Sequence, residues 1–242
     1  IKNQNGINVI TGDLDNSTAI EQTIMNTEAV IYNVGIIREF KSSGINFEKL
    51  HFEYFKKVVD IAKKLNVSRI ILMSANGVKE DGTKYQSTKF KAEEYLKKSG
   101  LQWTIFRPSL IFGDSMGKQE FCKQLRDDML SLPMPAPLFF EGINFFNAGC
   151  FKMSPVHVKD VAKIFVKSLA MQDSIKKTFE IGGEDLNWKT IVKTIANASG
   201  KENKMFIPVP AFEVKIATRI FGRFLPISTD QITMLLEGNT CD

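Results

Sequence analysis

Apolar positions along this chain follow two alternating rhythms. Short β-branched runs of strand length give way to stretches in which apolar residues return every three or four positions, the period of a helix with one buried face. "INVITGD" (Ile7 to Asp13) predicts a buried strand, and "STAIEQTIM" a helix with Ser17 as its N-cap. "AVIYNVG" (Ala29 to Gly35) predicts the next strand. "FEKLHFEYFKKVVDIAKKL" carries apolar residues at 47, 50, 54, 58, 61, 62 and 65 and predicts a long helix. "RIILMSA" (Arg69 to Ala75) is a third strand, "YQSTKFKAEEYLKKSG" a helix stopped by Gly100, and "WTIFRPS" a fourth strand ended by Pro108.

Strand and helix alternating at this spacing predict right-handed βαβ units, hence an α/β chain with a doubly wound parallel sheet covered on both faces. Beyond Pro108 the pattern loosens. A Pro-rich stretch, "LPMPAP", precedes "FFEGINFFNAG". "SPVHVKDVAKIFVKSLA" and "KTFEIGGEDLNWKTIVKTIANASG" each predict a strand leading into a helix, and the tail predicts two helices broken at Pro226. We expect a dinucleotide-binding-type core over 1–115 and a smaller C-terminal α/β lobe over 116–242, with elements of about 151–182 returning to the core.

Charge and composition change this picture little. The net charge of +5 is diffuse and without a basic cluster interleaved with aromatics, so no nucleic-acid partner is expected. The cysteines, 122, 150 and 241, lack metal-ligand spacing and suggest reduced thiols in a cytoplasmic compartment. Two histidines, 51 and 157, are too few for a His-based metal site, and no metal is expected. No run approaches the ~18 apolar residues of a membrane span, and no signal peptide is visible. Trp103 and Trp188 read as packing residues, and Cys122 as an inert thiol. Phe212, Ile216, Ile220 and Phe224 recur at helical spacing beside Lys215, Arg219 and Arg223. That face would suit a membrane or a partner subunit; the plainer reading is a helix capping the second lobe.

Ligands of open parallel sheets sit at the carboxyl ends of strands. Polar residues or glycine end the four predicted strands here: Asp13; Asn33 and Gly35; Ser74; and Arg107, Pro108 and Ser109. After the third strand, Tyr85 and Lys89 stand four residues apart, which places them on one helix face about 6 Å apart. A free tyrosine titrates near ~10, and a neighbouring ammonium favours its phenolate. Such a pair passes a proton to or from a substrate oxygen, to which Ser74 would also hydrogen-bond. Read alone, Tyr-x-x-x-Lys is a weak signal and an exposed surface pair is its plain meaning.

"GDLDN", "AVIYNVG", "RIILMSA", "YQSTKFKAEEYLKKSGLQWTIFRPSLIFG" and "SPVHVKDVAK", in this order, resemble the extended and atypical short-chain dehydrogenases/reductases, the NAD-dependent epimerase/dehydratase-like group, over nearly the whole chain. The tail "STDQITMLLEGN" resembles the subgroup of the NAD(P)-binding accessory subunit of respiratory complex I and its bacterial relatives. The resemblance implies a Rossmann-like fold with NAD or NADP as cofactor. It places Asp13 and Leu14 against the adenine, and Asn33, Val34 and Gly35 along the adenosine side. Ser74, Tyr85 and Lys89 match the family's catalytic trio, with Lys89 also bonding the nicotinamide ribose. Pro108 and Ser109 would flank the nicotinamide. His157 and Asp160 match a largely structural turn.

Two departures stand out. None of the sixteen glycines forms the GxxGxxG loop that holds the pyrophosphate in the family. With a chain opening on Ile1, that fits a sequence truncated before its third strand, and the residue that separates NAD from NADP would be missing with it. "MSANG" also lacks the Ser/Thr-rich run of the sugar-nucleotide epimerases, with Asn76 where a second hydroxyl stands in them. Three functions remain open: an oxidoreductase or epimerase-like enzyme acting on an unknown small-molecule substrate; a non-catalytic NAD(P)H-holding subunit or assembly factor peripheral to a respiratory, complex I-type membrane complex; and a redox-sensing regulator.

Overall fold

A computed structural model describes residues 6–40, 43–114, 116, 120–221 and 228–241. In chain order the elements are α1 (Ser17–Ile24), β1 (Ala29–Tyr32), α2 (Tyr54–Lys64), β2 (Arg69–Met73), α3 (Lys84–Lys97), β3 (Gln102–Pro108), β4 (Ile111–Phe112), α4 (Phe121–Leu125) and β5 (Ala136–Phe140). There follow β6 (Lys152–Met153), β7 (Val156–His157), α5 (Val158–Ala170), β8 (Lys177–Ile181), β9 (Leu186–Asn187), α6 (Trp188–Ala198), β10 (Phe206–Pro210), α7 (Ala211–Phe221) and α8 (Thr229–Glu237). The chain divides into two compact units. One comprises Ile1–Ser74, Val78–Phe106 and Lys167–Phe179; the other comprises Ala75–Gly77, Arg107–Val166 and Glu180–Asp242.

The first unit is built on a four-stranded sheet ordered β1-β2-β3-β8, in which β1, β2 and β3 pair in parallel. β2 lies between two neighbours and is buried along almost its whole length, so it reads as a continuous apolar run. α2 turns Phe55, Val58, Val59 and Ala62 into the core and leaves Lys56, Lys57, Asp60 and Lys63 on its outer side. Phe55 and Val59 are fully buried; a phenylalanine so placed contributes roughly 1.5–3 kcal/mol through the apolar surface it removes from water.

Several expectations shift. Residues 8–13 do not form a strand, and Ile7 makes a single β-bridge. A strand is a run of ladder pairs and not only of β-branched residues, and this stretch is assigned no such run. The cap of α1 is Asn16, whose side chain accepts from the Thr18 and Ala19 amides, because its oxygen and not that of Ser17 reaches the first-turn donors. The long helix before β2 opens with a π-helical turn, Glu48–Glu53, that periodicity cannot distinguish from α-helix.

In the second unit "APLFF" forms β5, which pairs in parallel with β10; β4 pairs with β7, and β6 with β9. Its core gathers Leu138, Met153, Trp188, Ile191 and Val192, with Phe121 and Phe151 against the Trp188 ring. Pro226, the expected break between the last two helices, lies outside the described residues, as do Arg223 and Phe224.

Candidate functional site

α3 is set in place by a capping box: the Thr83 amide donates to the Gln86 side chain (2.8 Å), and the Gln86 amide donates to Thr83 Oγ1 (3.4 Å). Its inward face is unlike that of α2. Gln86, Thr88, Lys89, Ala92, Glu93 and Leu96 are buried, so a helix that packs on the sheet takes an amide, an ammonium and a carboxylate inside with it. Buried charge of this kind is kept only with partners, and those partners outline the site.

Lys89 is 9 % exposed and Glu93 is 0 % exposed. The Lys89 ammonium donates to the carbonyl of Met73, at the end of β2, at 3.3 Å. It also lies 5.6 Å from the centroid of the Tyr85 ring. Burial pulls its pKa down to about 8, against the opposing pull of the Glu93 carboxylate. Ser74, which follows β2, donates its hydroxyl proton to Glu93 Oε1 at 2.5 Å. Tyr85 makes hydrogen bonds to neither Lys89 nor Ser74, since their polar atoms are directed at Met73 and Glu93. Its ring is held edge-on between His51 (centroids 5.2 Å apart) and Phe47 (5.7 Å). Burial pushes the Tyr85 phenol well above its ordinary value, so it remains protonated at neutral pH.

His51 is the site residue that sequence reasoning passed over. It sits in the π-helical turn, is 3 % exposed and stacks on Phe47. Its Nδ1 is hydrogen-bonded with Thr88 Oγ1 (3.0 Å), and its Nε2 lies within hydrogen-bond distance of the Ile36 amide (3.2 Å) and carbonyl (3.0 Å). Burial, and then the Lys89 charge, pull its pKa down to about 3, so the imidazole is neutral. A cavity of ≈ 10 Å³, lined by Tyr32, Val34, His51, Ser74, Lys89 and Ala92 among others, has room for about one water. Glu93 was also missed. Its place eight residues from Tyr85 on the same helical face was the available signal, since positions four apart stack on one side.

The remaining expected residues divide by surroundings. Asp13, Asn33 and Gly35 are exposed, and Leu14 and Val34 pack against the first unit's core. The neighbouring Asp15 pairs with Lys49 at 2.9 Å and accepts a hydrogen bond from the Tyr54 hydroxyl at 2.7 Å, and these hold its carboxyl below the usual range. Asp13 forms a local turn, its Oδ1 accepting from the Asp15 amide at 3.2 Å, and its carboxylate stays open to solvent. A Cβ added to Gly35 would stand 3.5 Å from His51 Nε2 and 3.6 Å from Lys89 Nζ, in ordinary contact with both. In the second unit the Pro108 carbonyl accepts from the Asn76 amide (3.0 Å), and the Ser109 hydroxyl donates to the Asn239 carbonyl (2.7 Å). The Cys122 thiol is pushed up to about 11 by burial and by Glu120, in line with an inert side chain.

These residues fit a nicotinamide dinucleotide in one specific respect. An ammonium carries three N–H donors, and among the described residues one of those of Lys89 is matched, by Met73. Two unmatched donors on a buried cation are what the vicinal hydroxyls of a ribose would satisfy.

Comparison with known proteins points the same way. The model of a family described as NAD(P)H-binding matches residues 1–128. The mitochondrial NADH-ubiquinone oxidoreductase 40 kDa subunit of Neurospora crassa is 25 % identical over 238 residues, which cover 97 % of this chain and 59 % of that protein. The photosystem II assembly factor Ycf39 of Trieres chinensis is 24 % identical over 225 residues, 90 % of this chain and 63 % of that one. The chain therefore spans about three fifths of these relatives' length. Among solved structures, UDP-glucuronic acid 4-epimerase from Bacillus cereus, in complex with UDP-glucuronic acid and NAD, superposes with a TM-score of 0.65 at 16 % identity, covering 92 % of this chain and 78 % of that one. Among the described residues no helix is long and apolar enough to cross a membrane.

Proposed function

We propose that this chain, which belongs to the NAD(P)H-binding family and has the Rossmann-like fold of the short-chain dehydrogenases/reductases, holds its dinucleotide as a bound group and does not turn over a carbonyl substrate. The bond from Ser74 to Glu93 carries this reading. A hydroxyl has one hydrogen to give, and a serine that polarises a substrate carbonyl must give it to the substrate. Here it goes to a buried carboxylate at 2.5 Å, a charge-assisted bond of the stronger kind. The Lys89 ammonium meets the Tyr85 ring and does not bond its hydroxyl, and burial, which favours the neutral phenol, prevails.

When bound, NAD(P)H supplies a hydride donor. The chain's own residues would grip it. Lys89 would donate to the nicotinamide ribose, while the Asp13 carboxylate, the Asn33 amide and the apolar sides of Leu14 and Val34 would take the adenosine end. Pro108 and Ser109 are proposed on the resemblance alone as neighbours of the nicotinamide. One curated relative is named as a subunit of NADH-ubiquinone oxidoreductase and the other as a photosystem II assembly factor, which supports a membrane-bound redox complex as the partner.

A second reading, an oxidoreductase in which Tyr85 passes the proton and Lys89 assists, is favoured by the placement of both side chains on one face of α3. One experiment separates the two. The intact protein is titrated with NADH and NADPH by fluorescence and then given a panel of aldehydes and ketones. We expect saturable dinucleotide binding with NADH oxidation at the uncatalysed rate. Steady-state turnover that disappears in Tyr85→Phe would replace this proposal with the second reading.

A further inference from the structure

His51 joins two parts of the site that are far apart in sequence. On one side it is hydrogen-bonded to the backbone of Ile36, at the end of the exposed segment that follows β1. On the other it is hydrogen-bonded with Thr88, and its ring meets that of Tyr85, both on the first turns of α3. The residue occupies a π-helical turn, where the extra residue per turn swings one side chain out of α-helical register; this feature recurs at functional sites. A buried imidazole needs partners for both nitrogens, and these two supply them from opposite directions.

We propose that His51 is a positioning residue that locks the Asn33–Ile36 segment to the Tyr85–Lys89 face of α3, so that the two grips on the dinucleotide respond as one piece. The proposal deepens the dinucleotide reading and rests on it for the ligand. With Asn33 to Gly35 at the adenosine end and Lys89 at the ribose of the nicotinamide end, a ligand that engages the first segment would then order the second through the imidazole. Neither end has to be ordered separately, which is how a pre-linked pair of contacts lowers the entropy lost on binding. Gly35 lies beside both partners: a Cβ there would stand at ordinary contact distance from His51 Nε2 and from Lys89 Nζ.

The test uses the intact protein with three probes: no ligand, AMP and NADH. Hydrogen exchange is followed at residues 33–36 and 84–89, with melting temperature recorded alongside. In the wild type AMP, which carries only the adenosine half, is expected to protect both segments. In His51→Phe the Ile36 amide should exchange about tenfold faster without ligand, AMP should protect 33–36 alone, and the NADH dissociation constant should rise about tenfold, the scale of one lost buried hydrogen bond. His51→Gln, whose amide can serve Thr88 and Ile36 again, should recover most of the coupling. If AMP protects both segments in His51→Phe as in the wild type, the lock is refuted. If Phe and Gln lose affinity equally and in step with melting temperature, His51 only fills space. If the wild type binds neither AMP nor NADH, the dinucleotide reading fails, and the unliganded exchange of Ile36 still decides whether the lock exists.

Discussion

A buried cation lies at each end of β2, Arg69 of the strand itself and Lys89 of α3, and the two are treated differently. Near its start Arg69, 6 % exposed, donates through Nη2 to Thr104 Oγ1 (2.7 Å), Ser174 Oγ (2.8 Å) and the Ser168 carbonyl (3.1 Å). The acceptors come from β3, from α5 and from the connection to β8, so one side chain ties three segments of the first unit together, at the expense of an unpartnered Nη1. Near its end Lys89, 9 % exposed, has one carbonyl at 3.3 Å and an aromatic face. Similar burial thus accompanies different use: Nη2 of Arg69 engages three acceptors of the fold, whereas Nζ of Lys89 has one. A cation knotted into neighbouring segments holds the fold; under the proposed reading, the cation at the carboxyl end of the strand is the one a ligand would complete.

The contrast makes predictions that differ in kind as well as size. Arg69→Ala should cost about 3 kcal/mol in urea unfolding, from a cavity and three acceptors left short, with dinucleotide affinity unchanged in the protein that remains folded. Equal loss of affinity would mean that the two ends are coupled. Lys89→Met should do the reverse: dinucleotide affinity falls on the order of 30-fold by fluorescence titration, while stability holds or rises because an under-bonded charge is gone.

The same lysine sets an alkaline limit. Its folded pKa, about 8, lies below its ordinary 10.5, so the ammonium that would hold the ribose is lost as pH rises through about 8. Dinucleotide affinity should therefore fall between pH 7 and 9, and Lys89→Met should show no such slope. The unfolded chain binds this proton more tightly, so the burden of the buried charge on stability is fully present below pH 8 and lifts as pH climbs from 8 towards 10.5.

His51 acts at the acid end. Its folded value of about 3 lies below 6.5, so the unfolded chain gains a proton first and stability is lost as pH falls below 6.5. Between pH 7 and 5 this amounts to about 2 kcal/mol, measurable as the difference in slope between wild type and His51→Gln. Smallest of all, Tyr85→Phe should change dinucleotide affinity by less than about threefold, because the ring contacts survive and the hydroxyl is bonded to neither Lys89 nor Ser74.

Tyr85 and Lys89 were legible because a helix imposes its own spacing: residues four apart share a face whatever else the chain does. The helix itself was legible from its period and from Gly100. Ser74 was legible as a strand-end residue, but its partner was not, since Glu93 lies nineteen residues away and reads in sequence as one more acid on a charged helix. His51 escaped notice for the same reason. Counting histidines addressed metal binding, and nothing local announces that His51 meets Thr88 thirty-seven residues later. Residues 8–13 show the opposite failure: local composition suited a strand, yet strands are made by neighbours.

By itself the sequence determined what is local and periodic: the alternation of strands and helices, the parallel sheet it implies, the polar residues at strand ends, and the shared face of Tyr85 and Lys89. The tertiary structure decided which polar groups are already satisfied. It gave the Ser74 proton to Glu93, joined Ile36 to Thr88 through His51, and, among the described residues, matched one donor of Lys89. Spacing along a helix or strand follows from backbone geometry, whereas the partner of a buried donor depends on what the fold brings within 3 Å of it.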